Sequence, residues 1–235
     1  MKIYVVGHSK NRFLHLDSIR EKFLIDQSHE GDNIDHLNPW YCELTGLYYL
    51  WKHVNDDIVG LEHYRTYFWK NGHPINEAEI KEELKKGEII CSGWKMPNPL
   101  HGGRTVREEF SKVMRSDYVI FLKCLECKNP DFYKIFDEYL NGDQFVCCNM
   151  MITKRQILDS YMLFLFDIIT DFHNISKPNS YNFRREGWIS EFLFGSWIKY
   201  TEKKPVFVNI NKLKKGLENT EFFVTDPTVE VKINV

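Results

Sequence analysis

Apolar residues alternate along this chain between two rhythms. Short β-rich runs at 2–7, 57–61, 88–92, 145–153 and 205–210 predict five strands. Between them, helical spacing predicts helices at 15–25, 76–86, 105–126, 130–140, 154–172 and 187–200. A further helix starts at Asn38-Pro39, with Asn as N-cap and Pro at the first helical position, and runs to about His53. Trp40, Leu44, Leu47 and Trp51 form its core stripe, as Ile157, Tyr161, Phe164 and Ile168 do for the helix at 154–172. Polar, Gly- and Pro-containing stretches at 27–39, 93–103 and 173–186 read as loops, and Trp94, His101 and Arg104 make the second a candidate lid. With no linker or repeat, the pattern predicts one α/β domain over 1–235: a mostly parallel central sheet flanked by helices.

Composition adjusts this picture. Six Trp, twelve Tyr and seventeen Phe are more than a small core needs, so some line a cleft or are absorbed in packing. A net charge of −2 gives no electrostatic drive toward nucleic acid. Lys199, Lys203, Lys204, Lys212, Lys214 and Lys215 form a local basic stretch, read as a solvated face or as weak attraction to anionic head groups. No apolar run approaches the roughly 18 residues of a membrane span. Met1 to Gly7 runs straight into a strand pattern without a signal-peptide layout, so a cytoplasmic location is expected. The six cysteines, including Cys124-x-x-Cys127 and the adjacent Cys147 and Cys148, are then expected as reduced thiols.

The polar residues that interrupt this pattern gather at strand ends. His8, Asp32 and Asn33 follow the first strand, and His63, Tyr64 and Arg65 follow the second. Asn149 stands inside an apolar strand, where a buried amide must find partners. Glu191 lies among Trp188, Phe192, Leu193, Phe194 and Trp197, and Glu43 lies beside the apolar stripe of its helix. In a mostly parallel sheet such ends converge on one edge, where α/β proteins bind ligands. A structural reading stays open: Arg65 pairs with Glu43 or Glu62, and Glu43 with a basic residue or backbone amides.

Asp32-Asn33-Ile34, Asn38, Tyr41-Cys42-Glu43-Leu44-Thr45, Tyr48 and Trp51-Lys52 resemble the D-N-I…N…Y-C-E-L-T…Y-x-x-W-K run of the domain-of-unknown-function 4422 family. Gly60 to Phe68 resembles its G-L-x-H-Y-R-R-Y-F hallmark, and Cys148 to Ile152 its F-N-M-F-I strand. Arg184 or Arg185 with Gly187-Trp188-Ile189-Ser190-Glu191 is similar to its R-x-x-G-[FW]-x-x-E segment. The likeness covers about residues 2–200. Thr66 replaces the second Arg of the hallmark, Cys148 replaces the Phe before Asn149, and residues 93–128 match nothing in the pattern.

The resemblance implies a GT-A-like nucleotide-sugar-binding sandwich and a glycosyltransferase of capsular, exopolysaccharide or lipopolysaccharide synthesis. The Asn149 strand resembles the acceptor-side F-N-x-G strand of family 8 glycosyltransferases, and Glu191 their downstream acidic residue. Glycosyl transfer needs directional hydrogen bonds to the nucleoside, positive charge or donors on the leaving diphosphate, and a base or firm placement for the acceptor hydroxyl. His8, Asp32, Asn33, Glu43 and Thr45 are expected to hold the nucleotide, and His63, Tyr64, Arg65, Arg184 and Arg185 to meet the diphosphate. Asn149 and Trp188 are expected on the acceptor side, and Glu191 as base or oxocarbenium stabiliser, so Glu191, Arg65 and His63 form the expected catalytic set. No D-x-D follows the second strand, and Asp56-Asp57 lies at its wrong end. Transfer without a cofactor is therefore expected, with a divalent metal held by His63 and an acidic residue as the alternative. The expected partners are a UDP-hexose, with galactose in pyranose or furanose form among the candidates, and a lipid-linked oligosaccharide or polysaccharide acceptor. No nucleic acid is expected, contact with the inner membrane face is peripheral, and residues 93–128 and 173–186 are the expected acceptor-side regions. A non-catalytic carbohydrate-binding protein and a sugar-phosphate transferase are the rival readings.

Overall fold

The computed structural model describes residues 1–13, 15–98, 102–178, 183–214 and 217–223. The main sheet runs β2 (Arg20–Leu24), β1 (Lys2–Gly7), β3 (Ile58–His63), β7 (Gln144–Lys154), β6 (Ile89–Lys95) and β8 (Pro205–Phe207). β1 is parallel to both neighbours and β6 is parallel to β8, whereas β7 is antiparallel to β3 and to β6. Five of the six strands on this path share one direction and β7 runs against them; with the antiparallel ribbon counted in, the sheet is mixed, a correction to the mostly parallel sheet expected. A smaller antiparallel ribbon continues from the end of β3 through β4 (Thr66–Lys70), with β5 (His73–Pro74), β9 (Ile210–Lys214) and β10 (Leu217–Phe223).

Helices cover both faces. One face carries α2 (Leu44–His53), α4 (Val106–Met114), α5 (Tyr118–Lys128), α6 (Pro130–Leu140), α7 (Arg155–Ser176) and α8 (Arg185–Tyr200) over the larger core, centred on Leu61, Met151, Phe192 and Trp197. The other carries α3 (Glu77–Lys86) over a smaller core of Ile3, Phe68, Ile80, Ile90 and Ile152. Local chemistry fixes the helix starts. Asn76 and Thr105 each make a reciprocal capping box with the Glu three residues on, and the Asn129 side chain accepts from the Phe132 amide ahead of Pro130.

Five expected elements differ. The helix at 105–126 is broken into α4 and α5 where Arg115 takes φ of 49°, and the strand at 205–210 ends as β8 at Phe207, with Ile210 opening β9. Residues 15–25 hold no helix: Arg20–Leu24 extends as β2 and pairs with β1 from Ile3 to Gly7. The apolar spacing there satisfies an edge strand as well as a short helix, and burial of Arg20 against Glu62 decides the outcome. The helix expected from Asn38 to His53 is broken into α1 (Asn38–Tyr41) and α2 by Cys42, whose φ is 50°. Thr45 Oγ donates to the Cys42 carbonyl at 2.8 Å and so seals the break, which leaves Glu43 at the head of α2. Gly93 to Lys95 belong to β6 and Trp94 is buried, so that residue is part of the sheet and not of a lid. Arg104 is held by Glu109, and His101 lies outside the described residues.

Candidate functional site

The site is organised by a bulge in β7. Its pairing with β6 slips between Cys91–Met151 and Gly93–Val146, and at the slip Cys148 and Asn149 take φ of 73° and 50°. Left-handed backbone in two successive non-glycine residues costs energy, so the surroundings must hold it. Asn149, only 1% exposed, does so. Its Nδ2 donates to Glu43 Oε1 at 2.9 Å and to the Gly187 carbonyl at 2.7 Å, and its Oδ1 accepts from Ser190 Oγ at 2.9 Å. The Cys148 amide donates to Glu191 Oε2 at 2.8 Å, and the His63 ring hydrogen-bonds to the Cys148 backbone. One bulge thus ties together the end of β3, the head of α2 and the first turns of α8.

Electrostatics follow from that burial. Burial lowers the His63 pKa; the Glu43 charge opposes this and Arg184 adds to it, so the ring is neutral at neutral pH. Its buried Nε2 has no hydrogen-bond partner among the described residues. Burial pushes the Glu191 carboxyl up to about 8; Glu43 adds to the shift and the Cys148 amide opposes it.

Two cavities flank this wall. The first, about 410 Å³, opens where β1 and β3 end and brings together His8, Glu43, His63, Tyr64 and Arg184. Gly7 permits the close packing at its floor, because a Cβ there would lie 2.8 Å from Tyr64 Cβ. Arg184 is set by its own backbone: φ is 64° and its amide donates to the Pro39 carbonyl at 2.9 Å. Its guanidinium lies 5.8 Å from the Trp188 ring and hydrogen-bonds to Cys42. The second cavity, about 420 Å³, holds Trp188 and Glu191 together with Cys148. Trp94, Phe145 and Phe192 give it an aromatic lining, and Glu109, Lys112 and Arg115 charge its rim.

The structure places the other expected residues elsewhere. Arg65 is exposed and its guanidinium lies 5.3 Å from the Tyr64 ring, so it reaches the first cavity only through that neighbour. It pairs with neither Glu43 nor Glu62; Glu62 takes Arg20 at 2.6 and 3.2 Å. Asp32 accepts from Tyr48 at 2.9 Å and lies 3.7 Å from Lys52, outside both cavities. Asn33 stitches its own loop, donating to the His29 and Gly31 carbonyls at 2.8 and 3.0 Å. Thr45 serves the helix break. Arg185 is buried against Asp117 at 2.7 Å, Ser176 at 2.8 Å and Glu186, which makes it a structural cation. Asn149 lies inside the wall, with both amide N–H groups given to Glu43 and Gly187 and its Oδ1 accepting from Ser190, so the structure shows it bracing the partition between the two cavities.

Several lining residues stand outside the expected site set. Asn11, Asn38, Cys42 and Phe183 join the first cavity, and Lys112, Arg115 and Glu109 the second. Asn38 and Cys42 stand within the family-like run, and their spacing from Glu43 is the one clue that was present. Among the described residues no group of three or more His, Cys, Asp or Glu is arranged to hold a metal ion, and all six cysteines are free thiols. No helix among them is long and apolar enough to cross a membrane.

Comparison with known proteins agrees with this architecture. A family model described as Domain of unknown function (DUF4422) matches residues 2–204. No curated protein matches the chain. Among solved structures, the apo structure of the WbbM bifunctional glycosyltransferase superposes with a TM-score of 0.72 at 21% identity. The match covers 99% of this chain and 47% of that one, so this chain spans about half the length of that protein. At this identity the likeness establishes a shared fold.

Proposed function

Because the chain belongs to the DUF4422 family, we propose that it is a glycosyltransferase that moves a hexosyl unit from a UDP-sugar to a surface-polysaccharide intermediate. The observation that carries the reading is the shared wall. His63 faces one cavity and Glu191 the other, and both are hydrogen-bonded to Cys148 between them. Transfer needs such a layout, with donor and acceptor in separate pockets that meet at one point.

In this reading the nucleotide diphosphate occupies the first cavity. Arg184 supplies the positive charge on the departing diphosphate, and Tyr64, with Arg65 stacked behind it, closes the same rim. Neutral His63 offers its unpartnered Nε2 to the donor. The acceptor hydroxyl enters the second cavity against Trp188. Its oxygen forms the new bond to the anomeric carbon, its proton passes to ionised Glu191, and the old carbon–oxygen pair leaves with UDP. Asn149 and Glu43 act as positioning residues that hold the wall. Arg184 in the place of a cation makes transfer independent of a divalent metal. The acceptor is lipid-linked and the protein works at the inner membrane face.

A thermal-shift panel of nucleotide-sugars with and without EDTA, followed by donor hydrolysis, tests this. Stabilisation by UDP-sugars that persists in EDTA is expected. Stabilisation by free oligosaccharide alone, with no nucleotide effect, would establish a carbohydrate-binding protein instead. Loss of the UDP effect on adding EDTA would restore a metal to the scheme.

A further inference from the structure

We infer that the second cavity takes an acceptor whose sugar carries a phosphate ester, with the anion held between Lys112 and Arg115. The inference rests on the glycosyl-transfer reading of the two cavities and concerns only the second.

The argument is one of charge balance in an aromatic pocket. Besides Glu191 the charged side chains lining this cavity are Glu109, Lys112 and Arg115, and Arg104 reaches it through Glu109. Arg104 pairs with Glu109 and cancels it. Lys112 reaches Glu109 only at 3.9 Å, a contact already shared with Arg104. The Arg115 guanidinium has no hydrogen bond or ion pair among the described residues, although it lines the cavity. Glu191, held mostly protonated at neutral pH, does not offset these cations. Two positive charges therefore remain above Trp94, Phe145 and Trp188, a floor suited to the C–H face of a sugar ring. Lys112 and Arg115 stand three residues apart on one rim, at the end of α4 and just beyond it. Both side chains are exposed and hydrated at the mouth of the cavity, where a doubly charged phosphate can pair with both and a neutral hydroxyl with neither as an ion. Arg115 also adopts φ of 49°, a conformation that costs energy in a non-glycine residue, at the point that directs the chain along the rim.

The phosphate has two chemical sources, a soluble sugar phosphate or a sugar joined through diphosphate to a lipid. Immediately beyond Arg115, Val119 and Ile120 at the start of α5 are 57% and 42% exposed, an apolar step beside the cationic rim. That step suits a lipid tail.

The test uses the intact chain and titrates tryptophan fluorescence, since Trp94 and Trp188 line the cavity. The probes are hexyl galactoside, galactose 1-phosphate and galactosyl hexyl diphosphate. At low salt the two phosphorylated probes are expected to bind at least ~10-fold more tightly than the neutral one, and to weaken as salt is raised. Lys112→Gln and Arg115→Gln are each expected to cost the phosphorylated probes roughly 10-fold and the neutral one little. Arg115→Gly serves as the second variant, because it removes the guanidinium while relieving the backbone and so cannot act by misfolding. Tighter binding of the hexyl diphosphate than of galactose 1-phosphate assigns the anion to a lipid carrier, and equal binding assigns it to a soluble sugar phosphate. Equal affinity for neutral and charged probes, or variants that bind the phosphorylated probes like the parent, overturns the inference. UDP titrated into the same wild-type sample reports on the first cavity: UDP bound without charge preference in the second rejects this inference alone, and absence of UDP binding rejects the functional reading instead.

Discussion

The first cavity gathers its polar residues from strand ends, while the second is aromatic, rimmed by the exposed cations Lys112 and Arg115 and built largely from helices. In the first, His8, Glu43, His63, Tyr64 and Arg184 come from four separate stretches of chain and meet because β1 and β3 are parallel neighbours that end together. In the second, Trp188 and Glu191 lie one helical turn apart on α8 and face β6, α4 and the bulge. The two differ in chemistry yet share one partition, the left-handed Cys148–Asn149 pair. The lesson is that a buried amide can serve both pockets without touching a ligand. Three hydrogen bonds of the Asn149 side chain hold Glu43 and α8 in place.

The largest test of a shared partition is Asn149→Ala. It removes three hydrogen bonds and takes the Asn149 amide from the buried Glu43 carboxylate, while the Gly187 carbonyl keeps Ser190 Oγ. A loss of roughly 3–5 kcal/mol in urea unfolding is expected, with UDP affinity and turnover both falling. Turnover lost with UDP affinity intact would separate the two pockets. Glu191→Gln comes next and acts on one side only: turnover is expected to fall by roughly 10²- to 10⁴-fold while UDP still binds.

The same carboxyl gives a pH signature. Since its folded pKa is raised to about 8, the unfolded chain ionises first, and this group's contribution lowers stability as pH rises from the ordinary carboxylate range through about 8. Its base form accumulates over the same range, so kcat/KM is expected to climb toward pH 8 and level off above it. Both slopes should vanish in Glu191→Gln, and a climb that persists there would assign the titration to another group. Arg184→Ala probes the other cavity, with UDP binding weakened about 10- to 100-fold by titration calorimetry and little change in stability. Arg65→Ala is the smallest: about 0.5 kcal/mol or less in stability and a few-fold at most in UDP affinity. An effect as large as that of Arg184→Ala would return the leaving-group role to Arg65.

The two arginines also show what a sequence conceals. Arg184 and Arg185 are adjacent and looked equivalent as diphosphate ligands. The turn into α8 points one at a cavity and buries the other against Asp117 and Glu186. Residue type gives the charge, and only backbone geometry decides its direction. Arg65 follows the same rule, since the tight β3–β4 hairpin turns His63 and Tyr64 toward the first cavity and leaves Arg65 exposed. Asp32 and Asn33 stand out in the family-like run because they fix a loop. The alternation of strands and helices, the convergence of His8 with His63, and the partly desolvated state of Glu43 and Glu191 were legible, because each follows from periodicity and burial. The bulge was not. Nothing in an apolar run announces two left-handed residues, although Asn149 within it marked the place where a polar partner had to be found.

The most direct test of the account is a crystal structure with UDP bound in the presence of EDTA. The diphosphate is expected in the first cavity, against Arg184, with Cys148 and Asn149 unmoved. UDP seated in the second cavity or elsewhere on the surface, or a first cavity left empty at saturating nucleotide, would contradict it.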